Sequence, residues 1–184
     1  MGAIEAMADG IRGAERREPA RAITPGAPTR AAVLRLNAAH AAQTSPLDAP
    51  RLDALLSAAC AAPGRADGGA FLIALDRGAD HDSPNFLWLR ARLPGFVYVD
   101  RLVVAPGLRR RGLGRAHYAE VFALAGARGL PVACEVNAVP PNPVSDAFHA
   151  ALGFAEIGRG APAPGKEVRY LLCDAPGRGP RPPR

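Results

Sequence analysis

Cysteine is scarce in this chain of 184 residues. The three cysteines, Cys60, Cys134 and Cys173, are odd in number and widely spaced, and no CxxC pair occurs. This argues against a disulfide framework and predicts a reducing cytoplasm as the compartment. The four histidines lie far apart with no HxH or HxxxH spacing, so no metal site is expected.

Long hydrophobic runs are also missing, and aromatic residues are few. No apolar run approaches the ~18 residues of a membrane-spanning helix, so no membrane span is expected. The first twenty residues hold two acids before the first arginine and no continuous apolar block, unlike a signal peptide. Hydrophobic residues make up 48% of the chain but aromatics only 5%. The core is therefore expected to consist mainly of alanine, leucine and valine.

Lysine is nearly absent, because Lys166 is the only lysine among 23 basic residues. The resulting net charge of +6 is one feature of nucleic-acid-binding proteins. Alanine, glycine and proline are abundant together with arginine, however, which favours a compositional bias, so nucleic acid is not the expected partner. The arginines are informative locally, since five of them occur with no acidic residue between the first and the last: Arg101, Arg109, Arg110, Arg111 and Arg115.

Helical and strand periodicities predict one mixed domain over residues 30–173. Residues 1–29 and 174–184 lack sustained periodicity and are predicted to be flexible extensions. The expected elements are a strand at 31–40, a helix capped by Asp48, a strand at 70–75, helical turns within 85–93, a strand at 96–104, a helix from 113, a strand at 132–136, a helix after Asn142, and strands at 155–159 and 168–173. This order predicts an α/β (α+β) fold with a mixed, strongly twisted sheet flanked by helices.

The central feature is a strand followed by an arginine- and glycine-rich turn and a helix N-terminus. The turn spans residues 109–114, RRRGLG. Such a turn offers unpaired backbone N–H groups and the positive end of a helix dipole, which suit a diphosphate, and its glycines permit close approach. No GxGxxG and no Gly-Lys-Ser/Thr sequence accompanies the turn, which argues against dinucleotide-binding and P-loop folds.

Two segments resemble the GNAT superfamily of N-acetyltransferases. Residues 104–114 are similar to its acetyl-CoA signature, with Arg109, Gly112 and Gly114 in the fixed positions. Residues 142–154 are similar to a later family segment, which begins at Asn142 and ends in a Gly-Phe pair. The resemblance implies a GNAT-like fold with acetyl-CoA as co-substrate. The residues implied to hold it are Leu102, Val103, Val104, Arg109, Arg110, Arg111, Gly112, Leu113, Gly114, Arg115, Asn142 and Phe148.

The resemblance also directs attention to the strand before the turn, which in the family splays from its neighbour and lines the substrate cleft. Strand alternation predicts Tyr98, Asp100 and Leu102 on one face. Asp100 is the leading candidate base, acting through water, with Tyr98 orienting the amine. Glu135, on the next strand, is the rival base, and an ion pair between Asp100 and Arg101 is the structural alternative.

A tyrosine that protonates the leaving thiolate in the family would fall at His149. Histidine can donate a proton near neutral pH, so His149 is the candidate acid. Simple packing of a half-buried helical histidine is the alternative.

An acidic loop at 76–82 and the residues after it are the candidates for binding the acceptor. Carboxylates attract a cationic amine and an aromatic ring can hold one, which indicates Asp82, Asn85 and Trp88. A solvated loop with aspartates and serine in turns is the alternative.

The expected function is acetyl transfer from acetyl-CoA to a primary amine by direct attack in a ternary complex. A small-molecule amine is favoured over a peptide terminus or lysine, and a homodimer is left open as the assembly. The alternatives are a non-catalytic acyl-CoA-binding module, a protein N-terminal or lysine acetyltransferase, and a basic nucleic-acid binder.

Overall fold

The computed structural model describes residues 29–174. The predicted extensions, 1–29 and 174–184, lie outside the described residues apart from Thr29 and Asp174. Within the described part there are six α-helices: α1 (Arg30–Ala38), α2 (Ala41–Thr44), α3 (Ala49–Ala58), α4 (Pro84–Arg90), α5 (Leu113–Ala127) and α6 (Pro143–Ala150). The strands of the same part are β1 (Ala59–Ala61), β2 (Ala70–Asp76), β3 (Val97–Val104), β4 (Val132–Val139), β5 (Ala155–Ala163) and β6 (Lys166–Cys173).

The strands form one mixed sheet in the order β1-β2-β3-β4-β6-β5. All neighbouring pairs are antiparallel except β3 and β4, which are parallel. One hydrophobic cluster packs the sheet against α1, α3 and α4, and a second packs the other face against α5. The predicted fold class, a mixed α/β sheet flanked by helices, is confirmed.

The two parallel strands separate after a short contact. They pair only at Val97 with Val132 and at Tyr98 with Ala133. Beyond this point β3 stays paired with β2 as far as Val104, and β4 stays paired with β6. The facing edges of β3 and β4 therefore border a gap that opens toward the N-terminus of α5, as the resemblance implied for the central strand.

The prediction of a first strand at residues 31–40 is wrong, because α1 covers Arg30–Ala38 and the next two residues form a turn. Thr29 caps the helix by accepting a hydrogen bond from the backbone N–H of Ala32, at 3.3 Å. Alanine, leucine and arginine favour helix, and the cap residue Thr29 directly precedes α1. Val33 and Ala32 are buried against the sheet, which adds the packing that stabilises a helix of this length.

The other predicted helix starts are confirmed by their caps. The Asp48 carboxylate accepts from the N–H of Arg51 at 2.8 Å, and the Asn142 side chain accepts from the N–H of Ser145 at 3.1 Å. Gly153 has a φ of 87°, as expected for the left-handed residue that follows a helix end. The strands at 132–136, 155–159 and 168–173 are found but extend beyond the predicted limits.

The predicted alternation along β3 is wrong beyond Val99. The pairing of β3 with β2 skips Asp100, which makes Asp100 the extra residue of a β-bulge. A bulge reverses the alternation of the residues that follow. Leu102 consequently packs with Val99 on the α5 face, whereas Val103 lies with Tyr98 in the opposite cluster. Tyr98 and Leu102 thus lie on opposite faces of the sheet.

Across the described residues, the helices are too short or too polar for any of them to span a lipid bilayer.

Candidate active site

The turn between β3 and α5 has the backbone conformation of an anion site. Gly112 precedes the helix with a φ of 78°, and Arg110 also has a positive φ, of 60°. Among the described residues, the N–H groups of Leu113, Gly114 and Arg115 have no acceptor, since the first backbone bond to the turn is donated by the residue after them. These groups and the dipole of the 15-residue helix α5 are free to meet an anion.

The side chains of the turn leave space on its outer side. Arg110 and Arg111 are exposed, whereas Arg109 folds back and donates from Nε to the carbonyl oxygen of Val104, at 3.1 Å. A Cβ added to Gly112 would meet no atom within 4 Å. The space above Gly112 is therefore open, as a bound diphosphate requires.

Gly114 lies in a more crowded place, one residue into the helix. A Cβ there would lie 3.2 Å from Cζ of Phe148 and 3.3 Å from Cδ2 of Leu102. Leu102 and Phe148 therefore come together beside the start of α5, near the gap between β3 and β4. Asn142 uses its side-chain oxygen to cap α6. The roles of these residues toward acetyl-CoA stay predictions.

Glu135 lies on β4, two residues beyond the last pair that joins β3 and β4. Its Oε2 accepts from the hydroxyl of Tyr98 at 2.9 Å, and its Oε1 accepts from Nδ2 of Asn85 at 2.9 Å. Burial raises the pKa of Glu135 to about 7, and the nearby charge of Asp100 acts in the same direction, against the two hydrogen bonds. A carboxyl group with this pKa exchanges its proton near neutral pH, as a general base must.

Asp100 is in a different electrostatic environment. Its side chain is 6% exposed, Oδ2 accepts from Nε of Arg101 at 2.6 Å, and Oδ1 lies 3.2 Å from Nε2 of His81, outside hydrogen-bonding angles. Burial acts to raise the pKa of Asp100, but His81 and Arg101 together outweigh it and lower the pKa. The carboxylate is thus ionised and already paired, which is the structural alternative that the sequence left open.

The Arg101 guanidinium continues this network into α1. Its Nη1 donates to Oδ1 of Asn37 at 2.9 Å, and Asn37 donates from Nδ2 to the carbonyl oxygen of Ser45 at 3.0 Å. Asn37 and His81 are buried and were not among the predicted site residues. The only sequence signal for Asn37 was a polar residue among apolar ones in a segment that was expected to be a strand.

His149 is buried on α6 and has partners for both ring nitrogens. Nδ1 lies 2.8 Å from the carbonyl oxygen of Ser145, which can only accept, so Nδ1 carries the proton. Nε2 then accepts from the hydroxyl of Tyr118, at 2.8 Å. Burial lowers the pKa of His149, partly offset by the bond to Ser145 and by the charge of Asp146. A neutral, fully engaged imidazole is a poor proton donor, so this arrangement favours the packing alternative.

The three predicted acceptor-binding residues do not come together. Asp82 is exposed and forms an ion pair with Arg51, so it belongs to a solvated loop. Trp88 stacks on Tyr170, with ring centroids 3.9 Å apart and an angle of 14°, and the guanidinium of Arg92 lies 4.0 Å from the Trp88 ring. Two groups this close must occupy opposite faces, which leaves neither face for a substrate cation. Only Asn85 reaches the site of Glu135.

In the stretch from residue 29 to residue 174, no group of three or more His, Cys, Asp and Glu side chains is arranged to hold a metal ion.

The mixed sheet thus opens between two parallel strands, with an unpaired helix N-terminus at the opening and a titratable carboxyl group inside. Residues 80–154 of the chain match the model of the acetyltransferase (GNAT) family. The match includes both segments in which the sequence resembles that family, residues 104–114 and 142–154. None of the curated protein sequences matches the chain significantly.

Solved structures share the fold at low sequence identity. NAA60 of Arabidopsis thaliana, in complex with acetyl-CoA, is 14% identical with a TM-score of 0.54, and the alignment covers 79% of this chain and 95% of that one. A crystal structure described as an acetyltransferase is 16% identical with a TM-score of 0.51, covering 78% and 93%. Naa20 of Chaetomium thermophilum, in complex with a bisubstrate analogue, is 19% identical with a TM-score of 0.45, covering 57% and 58%. This chain spans 58% of the length of Naa20, 58% of nourseothricin acetyltransferase and 62% of a structure from Desulfovibrio desulfuricans that is described as of the GNAT family.

Proposed function

We propose that the protein transfers an acetyl group from acetyl-CoA to a primary amine of a small molecule. The observation that supports this best is the position of Glu135. Its carboxylate lies where β3 and β4 part, held by Tyr98 and Asn85, and its pKa of about 7 suits proton transfer at neutral pH. A base at this point would act on an amine that enters the gap from the face of α4.

The proposed step is a direct acyl transfer. The lone pair of the neutral amine forms the C–N bond to the thioester carbonyl carbon, and the C–S bond breaks with its electron pair on sulfur. The proton lost by the amine goes to Glu135 and then to solvent, while the thiolate takes a proton from solvent. No protein acid is required, because an ordinary thiol has a pKa near ~8.5 and leaves as a thiolate close to neutral pH.

Glu135 is preferred to Asp100 as the base because of what each carboxylate contacts. Asp100 is paired with Arg101 and His81, and its pKa is lowered. A paired carboxylate of low pKa takes a proton weakly. Asp100 contributes to the chemistry through its charge, which helps to raise the pKa of Glu135.

Acetyl-CoA is proposed to bind along the turn and the free edge of β3. The N–H groups of residues 113–115 and the exposed Arg110 and Arg111 would hold the diphosphate, and the open space at Gly112 would admit it. The backbone groups of residues 102–104 that point away from β2 would pair with the pantetheine. One hydrogen bond contributes only about 0.5–1.5 kcal/mol net, so the diphosphate contacts and buried apolar atoms must supply most of the affinity.

The compartment proposed is the cytoplasm. Cys60, Cys134 and Cys173 are free thiols in the described structure, and two of them are buried. Free thiols in this number are usual in a reducing environment and unusual in an oxidising one.

A panel of amines tests the function through the release of free CoA. The panel includes small primary amines, a lysine peptide and a peptide with a free N-terminus, since a lysine side chain is as slender as a small amine. Turnover of the small amines, with neither peptide acetylated, would support the proposal. Preference for either peptide would replace it by a protein acetyltransferase.

The second candidate function is an acyl-CoA-binding module without catalysis. The observation that favours it is His149, which occupies the position of the family's acid and has no free ring nitrogen. Calorimetric binding of acetyl-CoA together with no CoA release from any amine would establish this module.

A further inference from the structure

Tyr170 on β6 was not predicted as a site residue, yet its hydroxyl is connected to Glu135 through Asn85. The hydroxyl donates to Oδ1 of Asn85 at 3.2 Å, and Nδ2 of Asn85 donates to Oε1 of Glu135 at 2.9 Å. Tyr170 and Glu135 are directly opposite each other in the pairing of β4 with β6, so both side chains lie on one face. The three side chains form a hydrogen-bonded chain from β6 through α4 to β4.

The direction of these bonds matters for the carboxylate. An asparagine side chain has one end that only accepts and one end that only donates. Because Tyr170 donates to Oδ1, the NH2 group of Asn85 faces Glu135. The opposite amide orientation would place Oδ1 against the carboxylate, and two acceptors can meet there only with a proton between them. The bond from Tyr170 thus satisfies Oδ1 of Asn85 in the amide orientation that presents the NH2 group to the ionised form of Glu135.

We propose that Tyr170 and Asn85 are positioning residues, which hold the Glu135 carboxylate in its proton-accepting orientation. Tyr98 holds the other carboxylate oxygen, Oε2, at 2.9 Å, so the carboxylate plane is fixed from two sides. The inference rests on the function proposed above, in which Glu135 receives the proton of the amine.

Other groups also face Glu135 and set its titration. Asp100 on β3 is a like charge that raises the pKa of Glu135, in addition to burial, which is the larger cause. Tyr98, Asn85 and Lys166 at the start of β6 lower it. Removing the NH2 group of Asn85 removes one of the lowering contacts, so the Glu135 pKa must rise further.

The Tyr170 hydroxyl has room because a glycine lies next to it on the edge strand. A Cβ on Gly160 of β5 would lie 2.7 Å from the hydroxyl oxygen and 2.9 Å from Cε2 of Tyr170. The φ of Gly160 is not positive, so alanine is compatible with its backbone. Gly160→Ala therefore displaces the hydroxyl while it leaves the atoms of Asn85 and Glu135 unchanged.

The test is a carbon-13 NMR titration of the Glu135 side-chain carboxyl in the full chain, assigned by the signal lost in Glu135→Gln. The wild-type midpoint is expected near pH 7. Asn85→Ala is expected to raise it by about one unit, and Tyr170→Phe, which keeps the ring, by about half a unit, as for loss of hydrogen bonds to a charged group. Gly160→Ala is expected to act like Tyr170→Phe. The double variant of Asn85 and Tyr170 is expected to titrate like Asn85→Ala, because the two residues act through one contact.

Gly107→Ala is the matched control, since its added methyl group would meet no atom within 4 Å, and its midpoint is expected to stay in place. Thermal unfolding establishes that each variant is folded. If Gly160→Ala unfolds, Tyr170→Phe decides. A folded Tyr170→Phe protein with an unshifted midpoint overturns the inference.

The same variants separate this inference from the proposed function. In an active enzyme, the acid limb of the pH profile of kcat/KM moves upward by the amount that the titration midpoint moves. Shifted midpoints of the Glu135 titration, without turnover on any amine, would contradict the proposed function but leave the positioning of Glu135 intact. Turnover whose pH profile is the same in these variants as in the wild type would contradict the positioning of Glu135 but leave the proposed function intact.

Discussion

Asp100 accepts a hydrogen bond of 2.6 Å from the guanidinium of Arg101, its immediate neighbour in β3. Neighbouring side chains of a regular strand point to opposite faces and cannot pair in this way. The bulge at Asp100 interrupts that alternation, so the two side chains form a pair inside the protein. The bulge thereby makes Asp100 a buried and paired anion, and Glu135 is the carboxyl group that we propose as the base.

Replacing Asp100 by asparagine is expected to reduce stability more than turnover. The change leaves the Arg101 guanidinium buried without its counter-charge, which costs about 3–5 kcal/mol in the free energy of unfolding. Well below the melting temperature, kcat/KM should fall less than tenfold, and its acid limb should move to lower pH because Glu135 loses a repulsive neighbour. Denaturant unfolding and steady-state kinetics measure both. A loss above a hundredfold in a fully stable variant would return the role of base to Asp100.

Glu135→Gln is expected to lower turnover by about 10²–10⁴-fold, as for removal of a general base, with acetyl-CoA affinity unchanged. CoA release and calorimetry give the two quantities. Glu120→Gln is the control, because Glu120 lies on α5 with a 65% exposed side chain, away from Glu135. Equal turnover in both variants would rule out Glu135 as the base.

The raised pKa of Glu135 predicts how the free energy of unfolding depends on pH. The folded protein binds this proton more tightly than the unfolded chain, with a pKa of about 7 against 4.5. The stabilising contribution is therefore complete below pH ~4.5 and is lost as the pH rises through 7, by up to about 3 kcal/mol. Denaturant unfolding between these pH values should show the decline in the wild type and a smaller one in Glu135→Gln. Parallel curves for the two proteins would contradict the shifted pKa.

Two substitutions of Gly112 separate charge from shape at the turn. Asparagine and aspartate have nearly the same size and tolerate the positive φ of 78° about equally. Gly112→Asp places a negative charge beside the proposed diphosphate, so its acetyl-CoA affinity should be at least about tenfold weaker than that of Gly112→Asn, and less so in high salt. Calorimetry at two salt concentrations measures this. Equal affinities would place the diphosphate elsewhere.

His149→Gln is expected to change stability more than catalysis. The variant loses the bond from Tyr118 inside the protein, which costs about 1–3 kcal/mol. The alkaline limb of the kcat profile should keep its midpoint, because thiolate protonation does not depend on this ring. A displaced alkaline limb would identify His149 as the acid.

The features that the sequence predicted correctly depend on neighbours in the chain. The turn at 109–114, the helix after it and the caps at Asp48 and Asn142 all follow from residues within a few positions of one another. The prediction of a strand at residues 31–40 failed because alanine-rich segments have weak periodicity. Only the cap at Thr29 distinguished helix from strand.

The rest of the site depends on partners that are distant in the chain. The bulge at Asp100 arises from the pairing of β3 with β2, which no local pattern of β3 reveals. Tyr170 and Asn85 are 85 positions apart, and they meet only because α4 packs near β5 and β6. The rival base, Glu135, was a candidate from the sequence, but its hydrogen bonds required the folded sheet.

The bulge in β3 also decides which residue of this strand can be lost without changing its faces. Val99 is opposite Ala74 and Arg101 is opposite Ile73, so the residues on both sides of Asp100 already alternate in step with β2. Deleting Asp100 would therefore restore an uninterrupted pleat while Leu102 and Val103 keep their present faces. Deleting Leu102 instead would turn Val103 out of the cluster that it shares with Tyr98, because a shift by one residue moves a side chain to the other face.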